Sequence, residues 1–292
     1  MPDIQIENRE DTADWIETTL LARGSPIGID ELNAAAYADS GLAESDVGLG
    51  LRVMTVRERW LGHQYPFTIT DIFVAPKEDA ERSVYSPLLL LSPGSPARQL
   101  VATQPTSDMA ALFERLTVDA TQQLMGPQAT AIRFGWPSEH GRPERFGDAI
   151  EWLATKMGIK SGTSFRSPLR KDGGVDVIAW RPFPDKRPGF PIALVQCTVQ
   201  REVVSKSRDI DLRNWSNWLA LDIDPTTILA IPGTVAKPEQ WNEIALRALI
   251  LDRIRIVGLL DGIALEQFEY GQEFVDHMLN KLGELLAGAK SS

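Results

Sequence analysis

The segment Lys171-Asp172-Gly173-Gly174-Val175-Asp176-Val177-Ile178-Ala179-Trp180 decides the fold class, together with Ile192-Ala193-Leu194-Val195-Gln196-Cys197-Thr198-Val199. Both are short apolar runs rich in β-branched residues, which is the signature of buried strands. The Gly173-Gly174 pair turns the chain into the first run, and the Pro-rich stretch 182–188 separates the two. Each run carries one polar residue in an apolar setting, Asp176 and Gln196. A carboxylate in such a place is costly unless it is paired, hydrogen-bonded or bound to metal. The two-fold period of a strand puts Asp176 on the face of Ile178 and Gln196 on the face of Thr198 and Gln200. If the strands are neighbours, Asp176 and Gln196 approach each other at one end of the sheet. The spacing also fits an edge position, with Asp176 solvated and Gln196 bonded to a loop.

Outward from this pair the pattern is regular. Residues 145–157 predict an amphipathic helix (Phe146, Ala149, Ile150, Leu153, Met157) that stops at Gly158. Residues 161–171 offer one edge strand. After the second run come a helix over 207–221, a strand over 227–231 ending in Pro232-Gly233, a helix over 238–252, a strand over 254–260 and a closing helix after Ala264. This order predicts an α/β architecture, a mixed sheet flanked by helices. Upstream the chain reads as mostly helical, with helices over 11–22, 30–39 and 44–60 and a strand over 66–74. The run 88–91 is of unsettled type. Ser92-Pro93-Gly94-Ser95-Pro96 is a candidate hinge, and a strong helix covers 108–125. The expected organisation is a mostly helical recognition or docking domain over 1–105, a connecting helix and strand over 106–140, and a second domain over 141–292.

The 292 residues are 43% hydrophobic and 24% charged, enough apolar material for a sizeable core. No apolar run approaches the ~18–20 residues of a membrane-spanning helix, and the N-terminus is acidic, unlike a secretory leader. With Cys197 as the single cysteine, an internal disulfide is excluded, and the expectation is a cytoplasmic protein that does not engage a membrane. The net charge of −10 argues against general nucleic-acid binding, but its distribution is uneven. Residues 133–213 hold 15 Lys and Arg against 10 Asp and Glu, whereas the remainder holds 15 against 30. The three histidines show no ligand spacing for zinc. There is no phosphate-binding glycine loop and no Gly-x-Ser-x-Gly elbow, which removes nucleotide hydrolysis and serine hydrolysis from the strong candidates.

Lys171-Asp172-Gly173-Gly174-Val175-Asp176, the following strand with Gln196, and Pro232-Gly233 after a later strand resemble the nuclease core of Mrr-like restriction endonucleases, within the PD-(D/E)xK superfamily. The stretch 254–262 with Leu265 is similar to the closing strand and helix of that family, and 146–158 to its opening helix. The resemblance spans roughly 141–268. It implies a restriction-endonuclease-like sheet and a Mg²⁺-dependent endonuclease acting on DNA, with RNA not excluded. By the same resemblance Asp176 and Gln196 hold the metal, the carbonyl of Cys197 adds a ligand, and the opening helix supplies a further acid, Asp148. Phe113-Glu114 in the preceding helix gives a competing match for that acid. The family's lysine, two residues after the Gln, falls on Thr198. Either Lys206 supplies the missing charge from the next helix, or the site is inactive and the fold only binds. Arg166, Arg170, Lys171 and Arg201 flank the strands in the basic segment and are candidates for phosphate contact. The implied setting is restriction or anti-phage defence, as a homodimer or as a subunit of a defence complex. The rival is a catalytically inactive nuclease-like adaptor or nucleic-acid-binding subunit.

Overall fold

A computed structural model describes residues 4–102, 106–137, 139, 141–162 and 172–289. The chain opens with α1 (Arg9–Arg23), entered where the Asn8 side chain accepts hydrogen bonds from the Glu10 and Asp11 amides. Next come β1 (Ile27–Gly28), α2 (Ile29–Ser40) and α3 (Glu44–Leu61). The alternating run expected as one strand over 66–74 is two: β2 (Phe67–Ile69) and β3 (Phe73–Pro76), which form an antiparallel sheet of order β1-β3-β2. Thr70 makes the turn, its hydroxyl accepting from the Phe73 amide at 3.0 Å and its own amide donating to the Phe73 carbonyl at 3.0 Å. The unsettled run 88–91 lies in α4 (Tyr85–Leu91), all of whose residues are buried. The expected hinge leads into α5 (Pro96–Leu100) and is tied down, with Ser92 Oγ donating to Asp14 at 2.6 Å and Ser95 bonded to Thr18 at 3.0 Å.

The second half is built on one mixed sheet. α6 (Ser107–Met125) leads into β4 (Thr130–Arg133), and α7 (Phe146–Met157) intervenes before β5 (Val177–Trp180) and β6 (Ile192–Cys197). α8 (Leu212–Trp218) crosses to β7 (Thr226–Ala230), and α9 (Pro238–Ala245) crosses to β8 (Leu249–Leu251). The order is β4-β5-β6-β7-β8, antiparallel through β6 and parallel beyond it. Ile178, Trp180, Ile192 and Leu194 form a core with Phe134, Phe146 and the helix residues Ile150, Leu153 and Trp215. The alternate residues Val177, Ala179, Ala193 and Val195 join a second core with Leu112, Phe113 and Leu116 of α6.

The chain closes with α10 (Arg253–Leu259) and α11 (Gly271–Ala289). Two expected elements are corrected here. The helix expected over 238–252 ends at Ala245, and 254–260 is helix where a strand was expected. The strand is the three-residue β8, buried at Ile250 and Leu251. Asp252 then accepts from the Arg255 amide at 3.1 Å and caps α10. Ile256, Val257 and Leu260, all buried, follow helical rather than two-fold spacing. The helix expected over 207–221 is likewise shorter: a 3-10 turn at Ser205–Arg208 precedes α8, which Asp211 caps.

The boundary expected at residue 105 is not a gap in the packing. Trp15, Ile16 and Leu20 of α1 belong to the same core as Val195, Ile256 and Leu282. Across it runs a buried charge network. Arg253 donates to Asp14 at 2.8 and 2.9 Å and to Glu17 at 3.3 Å, while Arg57 meets Asp14 and Glu17 at 2.9 Å each and Glu10 at 2.8 Å. Tyr65 and Tyr85 donate to the two oxygens of Glu17 at 2.7 and 2.8 Å. The helical N-terminal region is thus welded to the sheet-bearing half. No helix among the described residues is long and apolar enough to cross a membrane.

Candidate active site

Val177 pairs with Val195 across the antiparallel β5–β6 ladder, and the Asp176 amide just before β5 donates to the Val195 carbonyl at 2.8 Å, which brings Asp176 beside Gln196 at the rim of the sheet. The Gln196 amide nitrogen donates to Asp176 Oδ2 at 2.7 Å and to the Cys197 carbonyl at 2.8 Å. The Cys197 backbone amide also donates to Asp176 Oδ2, at 2.7 Å. Both side chains are buried. The edge alternative, a solvated Asp176 and a Gln196 bonded to a loop, is therefore not what forms.

The glycine pair fits this geometry. Gly173 and Gly174 both hold positive φ, 66° and 80°, which favours glycine. A Cβ on Gly174 would meet the Asp209 backbone oxygen at 2.4 Å. The Asp172 side chain accepts from the Gly174 amide at 2.8 Å and closes the turn that delivers Asp176 to the start of β5.

The second acid beside Asp176 is Glu114, from the middle of α6. Gly135 lies between them: a Cβ there would sit 2.8 Å from Glu114 Oε2 and 3.5 Å from Asp176 Oδ1. Glu114 is buried and accepts from Arg133 Nε at 2.5 Å. Arg133, also buried, reaches Glu139 at 2.9 Å through its other end. Burial pushes the Glu114 carboxyl up to about 7 against the pull of Arg133, with Glu139 and Asp172 adding to the rise. Asp176 is held well above the ordinary carboxylate range, first by burial and then by the charge of Glu114. The Cys197 thiol is likewise pushed up, by burial and then by Asp176, which disfavours the thiolate.

The chain matches no family model, no curated protein and no solved structure.

The other expected site residues fall in different places. Asp148, the expected third acid, is exposed at the start of α7, with its carboxylate 3.9 Å from Arg145. The buried acid adjoining Asp176 is Glu114 instead. Thr198 is buried, donates its amide to the Ala230 carbonyl at 3.0 Å and accepts from the Gln200 amide at 3.2 Å, so it shapes the turn after β6. Lys206 lies in the 3-10 turn and pairs with Asp209 at 3.3 Å. Arg201 does not stand free for phosphate: it donates to Asp11 at 2.9 Å and to the Pro93 carbonyl at 3.0 Å, tying the sheet to the N-terminal region. Arg166, Arg170 and Lys171 lie outside the described residues. Arg133 was not foreseen in the sequence. Its signal was an arginine inside the strand run 130–134, complementary to a glutamate inside the apolar helix face 109–116.

The donor set suits a hard divalent cation. Two carboxylates, a backbone carbonyl and an amide converge, and oxygen-only ligation with several waters is the preference of Mg²⁺. The Gln196 NH₂ group already bridges Asp176 Oδ2 and the Cys197 carbonyl, the place where positive charge is wanted. Rotating that amide by half a turn would present its oxygen there. Among the described residues no group of three or more His, Cys, Asp or Glu side chains forms a metal cage. The set rests on two carboxylates and neutral oxygens.

Proposed function

We propose that this protein is a metal-dependent nuclease that hydrolyses DNA phosphodiester bonds, in restriction or anti-phage defence. The observation that carries the reading is the buried pair of like-charged acids, Glu114 and Asp176, at the rim where Gln196 and the Cys197 carbonyl also point. Such a cluster opposes folding unless it serves a ligand, and perturbed buried acids concentrate at functional sites. The order of elements supports the same reading. A helix carrying an acid, three antiparallel strands, a crossover helix and a parallel strand agree with the core that the sequence resembles. In that core the opening helix corresponds to α6 rather than α7.

In this reading Glu114, Asp176 and the Cys197 carbonyl hold Mg²⁺ directly and Gln196 contributes a neutral oxygen. The ion supplies an acidified water and offsets charge on the phosphate as the bond breaks. Arg133 orients Glu114 for that task from the far side. Lys206 is the candidate replacement for the lysine that Thr198 lacks. To act on phosphate it must leave Asp209, and binding of a polyanion across the turn supplies the competing charge. The buried, turn-forming role of Thr198 favours the rival, a nuclease-like subunit that binds without cutting.

Supercoiled plasmid and single-stranded DNA, each with Mg²⁺ or Mn²⁺, separate the two readings. Metal-dependent cleavage by the natural sequence, lost in Asp176→Asn, is the expected result. DNA retained by both proteins on a gel, with no strand cut under any metal, establishes the binding subunit and removes the nuclease. Parallel incubation with a single-stranded RNA of the same sequence decides the substrate.

A further inference from the structure

Away from this rim, a cavity of about 610 Å³ opens between α1 and α3 on one side and the 234–238 loop, α9 and α10 on the other. Its size falls in the range of small-molecule sites, roughly 300–1,000 Å³. Two tryptophans line it. Trp60 is 65% exposed, an uncommon position for the largest aromatic side chain, and Trp241 lies under the Arg255 guanidinium at 4.7 Å. Val53, Val56 and Ile254 complete an apolar wall.

The charge of this cavity runs against that of the molecule. Residues outside 133–213 are strongly acidic, yet four arginines line the cavity, Arg9, Arg52, Arg57 and Arg255, against two acids. Both acids are already engaged. Glu10 accepts from Arg57 and Thr234 at 2.8 Å each, and Asp252 caps α10. Arg9 and Arg52 are exposed and form no ion pair among the described residues. A wall of tryptophan and aliphatic side chains beside unpaired guanidinium groups is complementary to a flat aromatic ring carrying phosphate: the rings and guanidinium planes stack on a base, and the planar forks pair with phosphate oxygens.

We propose that this cavity is a binding site for a free mononucleotide. The base lies against Trp60 and Trp241, and the phosphates meet Arg52 and Arg9. The site is separate from the Asp176 rim, and the proposal does not rest on the nuclease reading. It joins the N-terminal helices to α9 and α10, so an occupant would bridge the two halves that the buried charge network also joins.

Titration calorimetry of the full chain with AMP, ADP, ATP and GTP at low salt, together with tryptophan fluorescence, tests it. At least one nucleotide is expected to bind saturably with a dissociation constant below about 100 μM and to quench the tryptophan emission. Arg52→Glu and Trp60→Ala, both at exposed positions where folding is preserved, are each expected to weaken that binding at least about tenfold. Pyrophosphate alone is expected to bind at least about tenfold more weakly than the matching nucleotide, because it lacks the ring. No saturable binding of any of the four up to about 1 mM overturns the proposal, as does binding untouched by both substitutions. Binding of dodecanoate in place of nucleotides overturns it too, since it assigns the cavity to an acyl carboxylate. Asp176→Asn, which abolishes cleavage in the nuclease reading, is expected to bind nucleotide unchanged, so the two proposals fail separately.

Discussion

Two buried charge clusters lie in this molecule, and they are balanced in opposite ways. In the first, Asp14 and Glu17, with Glu10 at the edge, face two fully buried arginines, Arg57 and Arg253, so three acids share two cations and each guanidinium has several acceptors. Burial raises the Asp14 carboxyl, yet Arg253 and Arg57 more than offset it and hold it down at about 2. In the second, Glu114 and Asp176 share the single cation Arg133, which is itself divided with Glu139, and both acids are displaced upward. The first cluster holds the molecule together. The second is undercompensated, and in the proposed reading an added cation completes it. Burial is common to both clusters; what differs is the ratio of cations to acids, two to three in the first and one to three in the second.

The comparison can be broken most severely at Arg253. Arg253→Met strips the first cluster of half its positive charge and leaves Asp14 and Glu17 undercompensated, so a loss of about 3–5 kcal/mol is expected in urea unfolding. A loss below about 1 kcal/mol would show that the network is not structural. At the second cluster the sign reverses. Asp176→Asn keeps an oxygen to accept from Gln196 and Cys197 and removes one of two like charges, so unfolding at pH 8 without metal is expected to become harder by about 1–2 kcal/mol. Under the proposed nuclease reading, in which Asp176 holds the metal, the same substitution is expected to lower cleavage by at least about a thousandfold.

A smaller effect concerns pH. The folded Glu114 carboxyl sits at about 7, above its ordinary value of 4.5, so the folded state holds the proton more tightly. Its contribution to stability is complete below about pH 4.5 and is lost as pH rises through 7. Metal-free protein is therefore expected to melt lower at pH 8 than at pH 6, and Glu114→Gln to flatten that slope. Added Mg²⁺ must displace the proton, so the rise in melting temperature it produces is expected to be larger at pH 8 than at pH 6. A metal-induced rise that is equal at both pH values would remove Glu114 from the ligand set. The smallest effect belongs to Arg201, more than a third exposed in its pair with Asp11. Arg201→Ala is expected to shift stability by less than about 1 kcal/mol and to leave DNA retention unchanged in salt titrations.

Much of the sheet was legible because strand period and turn chemistry act locally. Gly173-Gly174 and the odd polar residue in each apolar run made the meeting of Asp176 and Gln196 one of two readings, and the pairing of neighbouring β5 and β6 decided between them. What failed was non-local. The choice between Asp148 and Glu114 depended on which helix lies beside Asp176 in the fold, and an acid inside an apolar helix looks the same whether it serves a site or a salt bridge. The exchange of strand and helix around Asp252 went unseen because a three-residue strand carries too little periodic signal to outweigh its neighbours. The apparent autonomy of residues 1–105 rested on composition, which is blind to Arg57 and Arg253 clasping one aspartate from sites far apart in the chain.

That clasp has a bearing on synthesis. Asp14 emerges from the ribosome early, and its partner Arg253 follows 239 residues later. Until then Asp14 and Glu17 have only Arg57 of the two arginines that bind them. The inward acids of the first helix therefore stay undercompensated until Arg253 has been made. A premature stop upstream of codon 253 would release a chain whose early helices lack their counter-charge, and chaperones and proteases would be its first partners.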